Sequence, residues 1–333
     1  MIDYTAARPL LISRKLLFGS HGLRVIWRLL IYFAVLISCV LLLLKGVGAL
    51  LRALHWRLGN QSVEGLLTAQ SLLLLSALFA ITVMAKIERR SLSGYWMPRK
   101  NAFDRNFWEG LAWGMAVPVV IVLLIWLSNG YRFGTLALSG RALIRYLLLW
   151  AAAALINGIA ENLAILGYPL FVLTSAIRFW PAALLLTGIF TVGHIGNAGE
   201  NRLGLISIFL QGFFFCLTIC RTGDLWFSVG LHAGGIFAED FLLSTPDSGV
   251  VYNGHLLNSS FYGSPWLTGG SVGPEASVMA FIVLVLALIL FDRIHRKRKA
   301  PQGIGSSHGA RASGAAERER QNAGRRARNA GKP

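Results

Sequence analysis

Residues 143–161 read LIRYLLLWAAAALINGIAE, an apolar run interrupted by Arg145 and Asn157 and closed by a carboxylate, Glu161. The hydrocarbon core of a bilayer is about 30 Å thick, and about 20 predominantly apolar helical residues cross it. Leu143 to Ala160 therefore reads as a membrane span, which puts an acidic side chain where acids are costly. Similar runs extend on both sides. Upstream lie about Trp27–Leu44, Leu66–Ala85 and Phe107–Leu127. Downstream lie about Trp180–Ile195, Leu203–Cys220, Leu225–Leu243 and Ala276–Phe291. The stretch from Glu161 to Ile177 is less apolar and holds Gly167-Tyr168-Pro169, which predicts a kinked or partly interfacial piece. The first run is long, and no small-residue cleavage site follows a short apolar core, so it reads as a first span and not a removable leader.

Composition agrees with this all-α, polytopic reading. Only 14% of the 333 residues are charged, where a soluble domain carries about 25%. Arg8, Arg14, Lys15, Arg24 and Arg28 precede or open the first span, and Arg293 to Lys299 follow the last. Basic residues mark the cytoplasmic side, so both termini read as cytoplasmic and the number of crossings as even. Eight crossings in the inner (plasma) membrane is the expectation. Residues 1–25 then form a basic cytoplasmic N-terminus and 26–106 two spans with a basic linker. Residues 107–292 form the remaining helical core and 293–333 a basic tail.

The net charge of +17 looks at first like a nucleic-acid signal, but the residues from Arg293 onward supply most of it. That tail is rich in Gly, Ala and Arg and has no aromatic residue, so it reads as disordered. Without interleaved aromatics, nucleic acid is a weaker partner for it than anionic lipid headgroups. Residues 244–275, rich in Gly, Ser and Pro, read as a long loop too polar to span. Cys39, Cys216 and Cys220 lie in apolar runs. With no further ligands nearby, they read as small membrane-core residues.

Three polar side chains stand inside spans. Glu161 ends AAAALINGIA, His194 ends ALLLTGIFTVG, and His232 lies within LWFSVGLHAGGIF. Each belongs to a different helix. One acid and two imidazoles brought together would make a general-base site, whereas taken singly each His is equally an interhelical hydrogen-bond partner. Glu161 alone also reads as a snorkelling boundary residue. Glu200, Asp224, Glu239 and Asp240 sit nearer span ends and read first as solvated or capping groups, although Glu239 shares a helical face with His232.

Together these residues resemble the CAAX-protease and bacteriocin-processing (CPBP, or Abi) family of intramembrane proteases. The family's first motif, Glu-Glu-x-x-x-Arg, falls on Glu161-Asn162-Leu163-Ala164-Ile165-Leu166. Its second, Phe-x-x-x-His, is matched by Phe190 to His194. Its third, His-x-x-x-Asn or Asp, falls on His232 to Ile236. Connecting stretches around Asn197, Arg221-Thr222-Gly223-Asp224 and Trp266 to Glu275 are similar as well, so the resemblance covers roughly residues 105–292. It implies that Glu161 and His194 activate a water, and that His232 with the third-motif Asn stabilises an oxyanion. It leaves open a zinc held by Glu161, His194 and His232 against a metal-free mechanism. The implied substrate is a membrane-associated peptide or protein.

Three positions depart from the pattern: Asn162 replaces the second Glu, Leu166 the Arg, and Ile236 the third-motif Asn. Losing the Glu and Arg together avoids an orphan buried charge. Ile236 is different, because a site-lining Ile donates no hydrogen bond, and one lost oxyanion donor costs about 10²–10³ in turnover. Three functions follow: an active endopeptidase, a non-catalytic relative that binds a membrane peptide or partner in the same cavity, or a transporter relaying protons. The last would carry inverted repeats or paired broken helices, and none is visible.

Overall fold

The computed structural model describes residues 18–19, 22–59 and 61–296. Expectations for Arg8, Arg14, Lys15 and the tail from residue 297 lie outside them. The described chain is built from helices: α1 (Val25–Ala53), α2 (Val63–Glu88), α3 (Arg105–Leu127), α4 (Gly140–Glu161), α5 (Tyr168–Ile177), α6 (Phe179–Gly193), α7 (Arg202–Thr222), α8 (Trp226–Ile236) and α9 (Val278–His295). It is an all-α polytopic membrane protein. Six helical segments are long and apolar enough to cross a membrane, and α6 is a shorter apolar helix. Eight crossings were expected; among the described residues six segments reach that length, and α6 and α8 with its continuation to Leu242 are shorter. Many large apolar side chains stay exposed on α1, α2, α3 and α9, among them Ile37, Leu42, Phe79, Leu127 and Leu286. Such outward faces suit lipid as the solvent.

Several helix ends are written in the sequence as side-chain caps. Ser62 accepts from Gly65 N, Asp104 from Asn106 N, Asn201 from Leu203 N and Ser277 from Ala280 N. Asp224 accepts from Trp226 N at the start of α8, the capping role expected of it. Each cap satisfies an amide that would otherwise face an apolar medium unpaired.

The piece after Glu161, expected to kink or lie partly in the interface, is helical throughout and opens on a wide turn. The segment Asn162–Gly167 is a π-helical turn joining α4 to α5, so Gly140–Ile177 is one continuous 38-residue rod. At 1.5 Å per residue such a rod is about 57 Å long, well beyond the hydrocarbon core. Its first turns are tied to neighbouring segments, with Arg145 on Glu64 and Trp150 Nε1 donating to Gly254 O. The physical cause of the wide turn is Pro169, which has no N–H to give to Ile165 O. The Tyr32 hydroxyl donates to Ala164 O within the turn, 3.0 Å away.

The pair α3 and α8 packs backbone against backbone. Gly110 and Gly114 of α3 face the backbone of Phe227 and Leu231, and Gly230 and Gly234 of α8 face Phe107 and Leu111. A Cβ at Gly114 would lie 2.8 Å from the Leu231 carbonyl carbon. These two small-x-x-x-small faces let the backbones touch where lipid offers no hydrophobic drive for association. Gly158 does the same for α4 against Val229. At the opposite end from the polar loop, Glu88 pairs with Arg28 at 2.6 Å and accepts from the hydroxyls of Tyr95 and Tyr168.

The segment 244–277 is a loop, as expected, and it folds back as a roof. Tyr131–Arg132 pairs antiparallel with Ser260–Phe261, and Gly199 N donates to Gly249 O.

Candidate active site

Beneath that roof lies a cavity of about 440 Å³. Glu161, His194 and His232, drawn from α4, the end of α6 and α8, all line it. The helices are positioned for this by the glycine contacts, since Gly158 lies three residues before Glu161 and Gly230 and Gly234 flank His232. Glu161 also opens one π-helical turn, and a second, Phe237–Leu242, follows α8. Such turns recur beside functional side chains.

Glu161 does not sit at a snorkelling boundary. Its side chain is 19% exposed, Oε1 accepts from Gln70 Nε2 at 2.9 Å, and Oε2 lies 3.8 Å from His232 Nε2. The His232 ring stacks on Phe215, with centroids 4.8 Å apart. Behind that ring, Asn162 Nδ2 lies 2.8 Å from Gly158 O and 3.1 Å from His232 Nδ1, while Asn162 Oδ1 accepts from the Ser228 hydroxyl. A carbonyl only accepts, so the nitrogen of Asn162 must face Gly158, and His232 Nδ1 is left as an acceptor. The proton of the neutral ring is therefore on Nε2, pointing toward Glu161.

His194 is held the other way. Its Nδ1 lies 2.9 Å from Phe190 O, again an acceptor only, so Nδ1 carries the proton and Nε2 keeps its lone pair. The Phe190 ring packs at 4.7 Å from His194 and 6.3 Å from His232, centroid to centroid. The two imidazoles thus face one cavity in opposite tautomers.

The other expected site residues separate. Asn197 lines the cavity and donates to Ser248 O at 2.8 Å, tying the segment after α6 to the roof. Ile236 lines it as an apolar surface. Asn162 stands behind His232, its side chain spent on the ring and on Gly158, so it bears on the site through His232. Leu166, at the position of the family's Arg, is buried among apolar residues, which leaves no orphan charge.

Glu239 and Asp240 overturn an expectation. Read as solvated span-end groups, they are 9% and 3% exposed and line the cavity, because the second π-helical turn carries them under the roof. Asp247 and Glu275 of the roof join them. Burial, with Asp247 close by, pushes the Glu275 carboxyl up to about 8, and burial raises Asp247 as well. Gln70 and Asp247 escaped motif reading, since helix crossing and loop folding bring them in from 91 and 11 residues outside the nearest motif.

Residues 143–235 match the family model described as type II CAAX prenyl endopeptidase Rce1-like. The match takes in Glu161, Phe190, His194 and His232, the residues on which the resemblance was read. Comparison with curated proteins and with solved structures found no match.

Proposed function

We propose, from the Rce1-like character of residues 143–235, that this chain is an intramembrane endopeptidase of the CAAX-protease type. The observation that carries the reading is that Glu161, His194 and His232 line one cavity, with His232 Nε2 3.8 Å from Glu161 Oε2. A water between Glu161 and His194 gives up its proton as its oxygen attacks the carbonyl carbon of a peptide bond. His194 Nε2, with a free lone pair, and the Glu161 carboxylate are the two acceptors. The carbonyl oxygen becomes an oxyanion, which the Nε2–H of His232 faces as donor. The abstracted proton then passes to the leaving amine as the C–N bond breaks. Gln70 holds Glu161 through Oε1 and leaves Oε2 for the water.

Zinc on Glu161, His194 and His232 is a poorer fit. Zinc draws its nitrogen and oxygen donors to about 2.0–2.2 Å. Among the described residues, the acid and imidazole donors that gather within 4.8 Å of one another are those of Glu239, Asp247 and Glu275. No step is therefore routed through a metal on the catalytic pair.

The cavity wall toward α1, α3 and α9 is apolar, with Leu36, Val117, Ile121 and Leu284, while its polar end holds the reacting groups. That division suits a membrane-associated peptide whose lipid or apolar part lies along the helices. The ends of α2, α7 and α9 carry Lys86, Arg89, Arg90, Arg221 and Arg293 on one face, joined by the Arg28–Glu88 and Arg221–Asp292 pairs. This supports a cytoplasmic placement of that face and of both termini.

Ile236 favours a second reading, a cavity that binds a membrane peptide without cutting it. The test is purified protein against a panel of prenylated and unmodified membrane peptides, wild type beside Glu161→Ala. Cleavage by wild type that falls about 10²–10⁴-fold in the variant is expected. No cleavage anywhere in the panel, or equal cleavage by both proteins, overturns the protease reading.

A further inference from the structure

The roof end of the cavity holds a second chemistry that the hydrolytic reading does not use. Glu239, Asp240, Asp247 and Glu275 gather there, and none of them takes part in a salt bridge among the described residues. No Lys or Arg lines the cavity, and the imidazole of His194 lies in electrostatic reach of Asp247. One oxygen each from Glu239, Asp247 and Glu275 lies within 4.8 Å of the others. Hydrogen bonds only partly occupy these groups. Gln211 Nε2 donates to Glu275 Oε2 at 2.8 Å, Ser248 N to Glu275 Oε1, and the Ser248 hydroxyl to Asp247 Oδ1 at 3.1 Å.

An independent observation points to a ligand. Asp240 is 3% exposed, lines the same cavity and is in electrostatic reach of Asp247 and Glu275. Its Oδ1 is buried with no hydrogen-bond partner. A buried carboxylate oxygen left bare beside three others is a strong acceptor facing nothing that donates.

We propose that Glu239, Asp247 and Glu275, with Asp240 beside them, bind a hard divalent cation, calcium in the first place. The donors are all oxygen, which selects calcium or magnesium over zinc or copper. Calcium holds oxygens at about 2.3–2.6 Å, so ligands on opposite sides of it lie about 4.6–5.2 Å apart, whereas magnesium requires about 4.0–4.2 Å. The three oxygens all lie within 4.8 Å of one another, and a cage of three or four carboxylates suits calcium, since magnesium keeps several waters and takes only one or two carboxylates. The ion would join the end of α8, through Glu239, to both ends of the roof loop, through Asp247 and Glu275. Ser248, next to Asp247, accepts from Asn197 three residues after His194, so the same clasp fixes the roof against the catalytic segment. The site does not depend on proteolysis, and its test reads binding.

The experiment uses the full-length protein in lipid nanodiscs, stripped with chelator. Terbium luminescence, excited through Tyr252 of the cavity wall and its neighbour Trp150, is titrated and competed with calcium, and melting is followed with calcium and with magnesium. A saturable terbium signal displaced by calcium, and a calcium-dependent rise in Tm, are expected. Asp247→Asn should weaken calcium binding by at least about tenfold, as loss of one charged ligand does. Absence of a calcium-competed terbium signal from the wild-type protein overturns the proposal, whatever the variant does. So does unchanged calcium affinity in folded Asp247→Asn.

Discussion

Asn162 Nδ2 lies 3.1 Å from His232 Nδ1, and the same amide reaches Gly158 O at 2.8 Å. The residue that departs from the family's acidic pattern is thus the one that sets the tautomer of the proposed oxyanion donor. An Asp at this position would accept where Asn donates. It would draw the His232 proton to Nδ1 and leave Nε2 without one. Asn162→Asp is therefore expected to lower kcat by about 10²–10³, the cost of one oxyanion donor, with a smaller change in KM. Steady-state kinetics beside a melting curve check this, since a merely structural role would lower Tm and leave the kcat-to-KM balance alone.

The Ile236 side chain lines the cavity one helical turn after His232 and offers the oxyanion nothing. Ile236→Asn supplies a second donor on the same face, so turnover should rise by as much as about 10²–10³. An unchanged rate in a folded variant would mean that the oxyanion is held from elsewhere.

The α3–α8 contact predicts stability. At Gly114 even a methyl group meets the Leu231 backbone, which cannot yield as a side chain end can. Gly114→Leu should cost about 1–3 kcal/mol or more by overpacking, while the same change at Gly188, where nothing lies within 4 Å, should leave Tm almost unaltered. Thermal melting in detergent compares the two.

The Arg28–Glu88 pair is buried at 9% and 10% side-chain exposure. Arg28→Ala leaves Glu88 charged, with only the two tyrosine hydroxyls to face it, and is expected to cost about 3–5 kcal/mol. Arg28→Leu combined with Glu88→Leu should cost clearly less than the two single changes summed, because no orphan charge remains. A double-mutant cycle on Tm or denaturant midpoint measures the difference.

Much of this architecture was legible in the sequence, for a physical reason. A bilayer demands helical runs of fixed length, so α2 begins at Val63 where hydropathy suggests Leu66, and α3 ends at Leu127 as read. The convergence of Glu161, His194 and His232 was legible too, because polar residues in spans are rare enough to stand out. The continuous rod through Glu161 was not, since a π-helical turn before Pro169 looks in sequence like a break. Nor were Glu239 and Asp240, whose neighbours predict a wet span end. The roof that buries them comes from residues whose Gly and Ser content says only that they form a loop. Likewise, Gln70 on Glu161 is a consequence of how α2 crosses α4, which no motif encodes.

If Glu161 and His194 drive water into a peptide bond, the oxygen of that water ends in the new carboxyl terminus. Cleavage of a membrane peptide in H₂¹⁸O, read by mass spectrometry of the new carboxyl terminus, tests it directly. One ¹⁸O is expected in that carboxylate with wild-type protein, and no product above background with Glu161→Gln or His194→Ala. Product of equal yield from the Glu161 variant, or a new terminus without the label, would contradict it.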